Sequence, residues 1–222
     1  EDRSLRFNLM DTVASTDYRV PPLRVMWIDA ETEKSGRFPS INDPIGRVLI
    51  SSDGRRRVIE DGDEGHKLSD LIETVKLEDP DIVLTHGGDS FLFPYLARRA
   101  MINGLVRGLV LGREETPLEA SKRRGVTFFS YGRIHYKAPM RRLYGRVHLD
   151  VDNSFIYPAC GLEGLIEVSR TCRIPLQRAS RASIGTIMSS LQLYQAIKDE
   201  ILIPWKKRNA ESFKSAWELL VA

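Results

Sequence analysis

The sequence predicts a mixed α/β domain with a helical C-terminal extension. Three observations carry that prediction. Strand-like segments fill most of the chain up to about residue 150, a clearly helical segment lies between them, and from Leu162 onward the apolar spacing becomes helical. The domain is expected over 23–160, behind a lead-in at 1–22 and ahead of a helical segment at 161–222.

The lead-in is polar, with a short apolar patch at Leu5, Phe7, Leu9 and Met10, and Pro21-Pro22 separates it from the first strand. That strand, Arg24 to Thr32, is apolar and ends in two carboxylates, Asp29 and Glu31. Residues two apart in a strand share a face, so the two acids project side by side. Their mutual repulsion is relieved by a divalent cation, which makes the pair half of a site for metal-assisted phosphodiester chemistry, with Mg²⁺ or Mn²⁺ bound weakly or not at all. The same spacing also suits two acids that simply face water.

A second strand is expected at Gly46–Ser51 and a third at Arg57–Glu60, joined through the hairpin signal Asp53-Gly54. The acidic run Asp61 to Gly65 reads as a solvated loop. Leu68, Leu71, Ile72 and Val75 recur at helical spacing, predicting a helix over 67–78. Ile82–Thr85 is short and apolar, as expected of a strand buried on both faces. A turn follows at His86-Gly87-Gly88-Asp89, then a helix over 91–101. Its aromatics Phe91, Phe93 and Tyr95 are core candidates that would otherwise suit stacking on bases. Further strands are expected at 126–130, 134–136 and 145–150, the last running into Asp150 and Asp152. Helices are expected around Leu162–Ser169 and Ile184–Ile201, with a final amphipathic piece at Phe213, Trp217 and Leu220.

At 222 residues, with 42% hydrophobic and 28% charged side chains, the composition is that of a globular protein. No apolar run is long enough to span a membrane, and no leader peptide is visible. Cys160 and Cys172 form neither a metal spacing nor a disulfide framework, so a reducing, cytoplasmic setting is expected. The net charge of +3 is carried in clusters: Arg55-Arg56-Arg57, Arg98-Arg99, Lys122-Arg123-Arg124, Arg141-Arg142 with Arg146, and Lys206-Lys207-Arg208. Clustered cations suit a nucleic-acid partner and nucleoid association, and they suit solvated faces equally. His86, His135 and His148 are scattered and read as structural. A chain that begins with Glu reads as a fragment or a processed product.

The order of elements is that of the ribonuclease-H-like nuclease fold, and the residues resemble one family in particular. Trp27-Ile28-Asp29-Ala30-Glu31-Thr32 resembles the first exonuclease motif of family B DNA polymerases, and Asp79 to Leu96 resembles the second. Leu111-Gly112-Arg113-Glu114 is similar to a segment further along the archaeal enzymes. Tyr144 to Asp150 resembles the strand before the third motif, and Ser180 to Thr186 the stretch that leads into the polymerase palm, near whose start Ile203-Pro204 falls.

The resemblance implies a 3′–5′ exonuclease fold, DNA (single-stranded or primer-template) as partner, other polymerase domains or subunits alongside, and a role in DNA replication or repair. As cations suited to salt-dependent phosphate binding, Arg98, Arg99, Arg141, Arg142, Arg146 and Arg181 are the expected nucleic-acid contacts. The departures imply lost hydrolysis, as in inactivated archaeal paralogs. Gly87 stands where the family has Asn, and Leu92 where it has a metal-binding Asp. The Tyr-x-x-x-Asp of the third motif is missing between Asp150 and Ser180, where the chain is short around Tyr157–Leu162. Of four expected acids, Asp29 and Glu31 remain, a remnant pair unlikely to suffice for catalysis. Asp89, Asp150 and Asp152 are the available substitutes if an active exonuclease has been rebuilt; a purely structural scaffold is the third reading. The palm aspartates lie beyond Ala222 by resemblance, so this chain is not expected to polymerise alone.

Overall fold

The computed structural model describes residues 19–33, 38–105, 108–118, 125–130 and 132–201. At its centre is a five-stranded sheet formed by β1 (Val25–Thr32), β2 (Ile45–Ser52), β3 (Arg55–Ile59), β4 (Ile82–Thr85) and β7 (Val147–Asp150), in the order β3-β2-β1-β4-β7. β1 runs antiparallel to β2 and parallel to β4, which runs parallel to β7. Asp53 and Gly54 both have positive φ, as a two-residue hairpin between β2 and β3 demands. A separate ribbon pairs β5 (Val126–Ser130) with β6 (Arg133–Lys137).

Helices cover both faces. On one, α1 (Glu64–Glu78) and α2 (Phe93–Ile102) bury Leu68, Leu71, Val75, Tyr95 and Leu96 against Met26 and Ile28 of β1. On the other, α3 (Tyr157–Cys172), α4 (Leu176–Arg181) and α5 (Ile184–Lys198) bury Leu165, Ala179 and Ile187 against Leu84 and Leu149. Val25 and Trp27 face this second side. The alternation of β1 therefore sends Asp29 and Glu31 toward the face covered by α3, and Met26 and Ile28 away from it.

Among the described residues, all seven strands coincide with expected segments to within two or three residues. The helices differ more. α1 starts at Glu64 because Asp63 caps it, its carboxylate accepting the His66 N–H at 2.9 Å. The acidic run read as a solvated loop thus holds a helix cap. The helix expected from Phe91 is preceded by a π-helical turn, Gly88–Leu92. α4 was not expected, and α5 ends at Lys198. The 160/161 division falls inside α3, at a kink where Gly161 has φ 64°. The lead-in patch, the basic run 122–124, Ile203-Pro204, the basic run 206–208 and the piece at 213–220 lie outside the described residues. Among the described residues, no helix is long and apolar enough to cross a membrane.

Candidate metal and nucleic-acid site

Asp29 and Glu31 are both exposed at the end of β1. The Asp29 carboxylate accepts the N–H of Ala30 at 2.8 Å. Glu31 has a stronger partner. Arg47 stands opposite it in the β1–β2 register and donates two hydrogen bonds, Nε to Oε2 and Nη2 to Oε1, both 2.9 Å. This fork-to-fork geometry engages both carboxylate oxygens. The adjacent Glu31 carboxylate in turn raises the Arg47 pKa. A cation entering beside Asp29 must displace the guanidinium or settle for one carboxylate.

Beyond the end of β1 the neighbours are aromatic. His86 stacks on Trp27 with ring centroids 5.2 Å apart, and its Nδ1 lies 3.0 Å from Asp152. Tyr157, at the start of α3, meets Trp27 edge-on. Position 161, four residues along, is glycine rather than an acid. Among the described residues, no group of three or more His, Cys, Asp or Glu side chains is arranged to hold a metal ion.

Leu92 is 2% exposed and packs in the core on the α1–α2 side, the sheet face opposite Asp29 and Glu31. Gly87 opens the π-helical turn in the left-handed region, φ 61°. Gly88 lies so close to Thr85 and His148 that a Cβ there would overlap both side chains.

Asp89 and Asp150 sit behind this turn, both buried. The Asp89 carboxylate accepts the Arg141 N–H at 2.6 Å, the Asn153 amide at 2.7 Å and the Arg181 guanidinium. Asp150 accepts the Asp89 N–H at 2.8 Å and the Asp152 N–H at 3.2 Å. Burial pushes both carboxyls up, against the pull of these hydrogen bonds and charges. His148 completes the cluster. Its Nδ1 donates to the Arg141 carbonyl at 3.0 Å, which leaves Nε2 to accept from the Thr85 hydroxyl at 2.8 Å. Burial holds its pKa down, to about 4. These two acids are structural partners of arginines and backbone amides. Asp152 is exposed and shared with His86.

The comparisons with known proteins agree on one relationship. Residues 50–155 match the sequence model of the DNA polymerase family B exonuclease domain. That stretch, a little under half of the chain, is similar to the exonuclease domain of family B DNA polymerases. The chain is 33% identical over 161 residues to a DNA polymerase of Methanocaldococcus jannaschii, covering 66% of this chain and 10% of that protein. It is 29% identical over 99 residues to a DNA polymerase of Archaeoglobus fulgidus, covering 44% and 12%. The matches thus span about a tenth of those relatives' length. The fold is similar to that of the family B DNA polymerase from Pyrobaculum calidifontis, with a TM-score of 0.60 and 20% identity over 85% of this chain and 31% of that one.

The six arginines expected at DNA divide sharply. Arg99 is buried and forked onto Glu64, and its Nη1 donates to the Asn42 carbonyl at 3.0 Å. Arg146 is buried and donates to Asp79 at 2.7 Å and to the carbonyls of Pro80 and Leu111. Arg141 is buried, its Nε donating to the Asp89 backbone carbonyl at 3.4 Å, and Arg181 pairs with the Asp89 carboxylate. Their guanidiniums are committed to the fold. Arg98 and Arg142 are exposed. Phe93 and Tyr95 are core residues, and Phe91 stacks on Tyr95 at 5.3 Å.

Sequence reasoning missed Arg47, because its role appears only once the β1–β2 register is known. It also passed over Lys137, Arg173 and Arg178, which line a cleft with Arg181. Arg178 and Arg181 stand three apart on α4, a one-face spacing that was available as a signal.

Proposed function

We propose that this exonuclease-domain region has lost 3′–5′ hydrolysis and serves as a DNA-binding and docking part of a family B polymerase, in replication or repair at the nucleoid. The observation that carries this reading is the position of Leu92. The residue standing where the family places a metal-binding Asp is a core side chain on the sheet face away from Asp29 and Glu31. Two-metal hydrolysis clamps ions about 3.5–4 Å apart between several acids. Here Asp29 is left with Glu31, and Glu31 is already forked by Arg47. The residues present do not fit a two-metal centre, and a single weakly held Mg²⁺ or Mn²⁺ is the most they support.

DNA as the partner rests on the exposed cations, Arg55, Arg56 and Arg57 on the β3 edge together with Arg98 and Arg142. Docking to other polymerase domains is supported by the β5–β6 ribbon. Phe129, Ile134 and Tyr136 share one of its faces and are 73%, 76% and 63% exposed.

A labelled single-stranded DNA incubated with Mg²⁺ or Mn²⁺ tests the reading, beside an Asp29→Ala, Glu31→Ala variant. Both proteins should leave the strand intact and bind it in low salt, with affinity that falls steeply as salt rises. Shortening from the 3′ end by wild type alone would overturn the loss of hydrolysis. Failure to bind in low salt would overturn the DNA-binding role.

A further inference from the structure

α5 is a helix short of cover. From Ile184 to Ile197 it carries no charged side chain, yet only Ile187 and Ala196 are buried. Ile184, Met188, Leu193 and Ile197 are exposed, each by 47% or more. A helix this poor in charge is normally covered on more than one side. The four residues fall on two sides. Ile184 and Met188 align with Leu191 at i, i+4 and i+7, a single stripe. Leu193 and Ile197 stand on the opposite side of the helix. Ile187 and Leu191 already pack in the core beneath α3 and α4, so the first stripe borders that core. A segment laid on it extends a core that exists.

The same spacing recurs further along the chain. Phe213, Trp217 and Leu220 stand at i, i+4 and i+7, with Ala216 on the same stripe and Lys214, Ser215 and Glu218 off it. They lie outside the described residues, and the pattern is that of the sequence. Run antiparallel to α5, they set Leu220 opposite Ile184, Trp217 opposite Met188 and Phe213 opposite Leu191. That register leaves 199–205 as the connection, within the roughly 2–8 residues common between paired helices.

The end of α5 suits such a return. The Ile201 N–H donates to the Ala196 carbonyl at 2.8 Å and the Glu200 N–H to the Ile197 carbonyl at 3.2 Å, with Glu200 at φ 57°. Two such bonds around a left-handed residue end a helix and turn the chain aside. Charge agrees with the register. Asp199 and Glu200 are exposed where the helix dipole is negative, and the return brings Lys206-Lys207-Arg208 beside them.

We infer that residues 213–220 dock as an amphipathic helix on the Ile184–Met188–Leu191 stripe of α5, closing a helical hairpin over that side of the sheet. The second stripe, Leu193 and Ile197, stays open. The inference goes beyond the DNA-binding and docking reading and needs neither the loss of hydrolysis nor DNA.

Hydrogen exchange read by mass spectrometry on the whole chain tests it. The amides of 213–220 should exchange slower by about tenfold or more than in an unstructured peptide of the same sequence. Met188→Asp should abolish that protection and Leu193→Asp should leave it, with β1 and β4 protected in both variants as the control for folding. An unprotected 213–220 in wild type, or equal losses in the two variants, would overturn the docking. A second measurement spares the core. Met188→Cys combined with Trp217→Cys should form a disulfide within one chain on mild oxidation, read by peptide mapping, because opposed Cα atoms come within about 7 Å. Leu193→Cys combined with Trp217→Cys should not. A bridge between two chains instead, with protection of 213–220 that falls on dilution, would show that a second copy covers the stripe and would overturn the hairpin.

Discussion

Two pairs of carboxylates sit within a few residues of strand ends in this domain, and they have opposite fates. Asp29 and Glu31 are exposed, with one arginine between them and a cation. Asp89 and Asp150 are buried among Arg141, Arg181, Asn153 and His148, and every one of those contacts ties distant segments together. The accessible pair lacks ligands; the well-supplied pair lacks access. Hydrolysis needs both properties at one place, and the proposed loss of activity rests on their separation among the described residues.

The largest expected effect lies at the buried pair. Asp89→Ala leaves Arg181 and the Arg141 amide without their acceptor, and breaking a buried pair from one side costs about 3–5 kcal/mol. Urea denaturation should show it. A loss below about 1 kcal/mol would mean that the cluster is not the structural node described here.

Leu92→Asp comes next. It places a carboxyl in the α1–α2 core, losing apolar packing and burying an unpaired acid, for about 3 kcal/mol or more. Added Mn²⁺ should not recover the loss. Recovery by metal, with strand cleavage, would show that position 92 still reaches the Asp29 side.

The buried cluster should also respond to pH. His148 titrates near 4 in the folded state against about 6.5 when unfolded, so the unfolded chain binds more protons between those values. Stability from this group is therefore complete above pH 6.5 and is lost as pH falls toward 4, by about 3 kcal/mol. Asp89 and Asp150, whose carboxyls are raised, act with the opposite sign and give up stability as pH rises through their folded values. Comparing wild type with His148→Gln isolates the histidine. The variant's stability should vary less between pH 7 and 4.5. Asp79, held well below the usual carboxylate range by Arg113, Arg146 and Arg24, adds acid lability below about pH 4 in both proteins.

Arg47→Ala is the mildest change. The Glu31–Arg47 pair is solvent-exposed, and such pairs add little to stability, so the melting temperature should barely move. Mn²⁺ affinity should rise slightly as Glu31 is released. An unchanged affinity would remove Arg47 from the account of the pair.

Much of the fold was legible because its signals are local. β4 is four apolar residues between turns, α1 has a clean amphipathic period, and Asp53-Gly54 announces its hairpin. α4, at six residues, is too short to show a period, and a π-helical turn has no sequence signature comparable to a cap. The site was legible only as its ends. Asp29 and Glu31 stood out by spacing and Leu92 by resemblance. The commitments of Arg99, Arg141, Arg146 and Arg181 were hidden because their acidic partners lie 35 to 92 residues away in sequence. A cluster of cations read along the chain does not reveal which of them already has a partner.

The most direct test of the separation between access and ligand supply is a Mn²⁺ titration followed by electron paramagnetic resonance, on wild type and on the Asp29→Ala, Glu31→Ala variant. At most one weakly bound ion is expected, lost in the variant. Two tightly bound, magnetically coupled ions in wild type would contradict the separation, since a coupled pair requires ligands that Leu92, Gly161 and the Arg47-forked Glu31 do not supply.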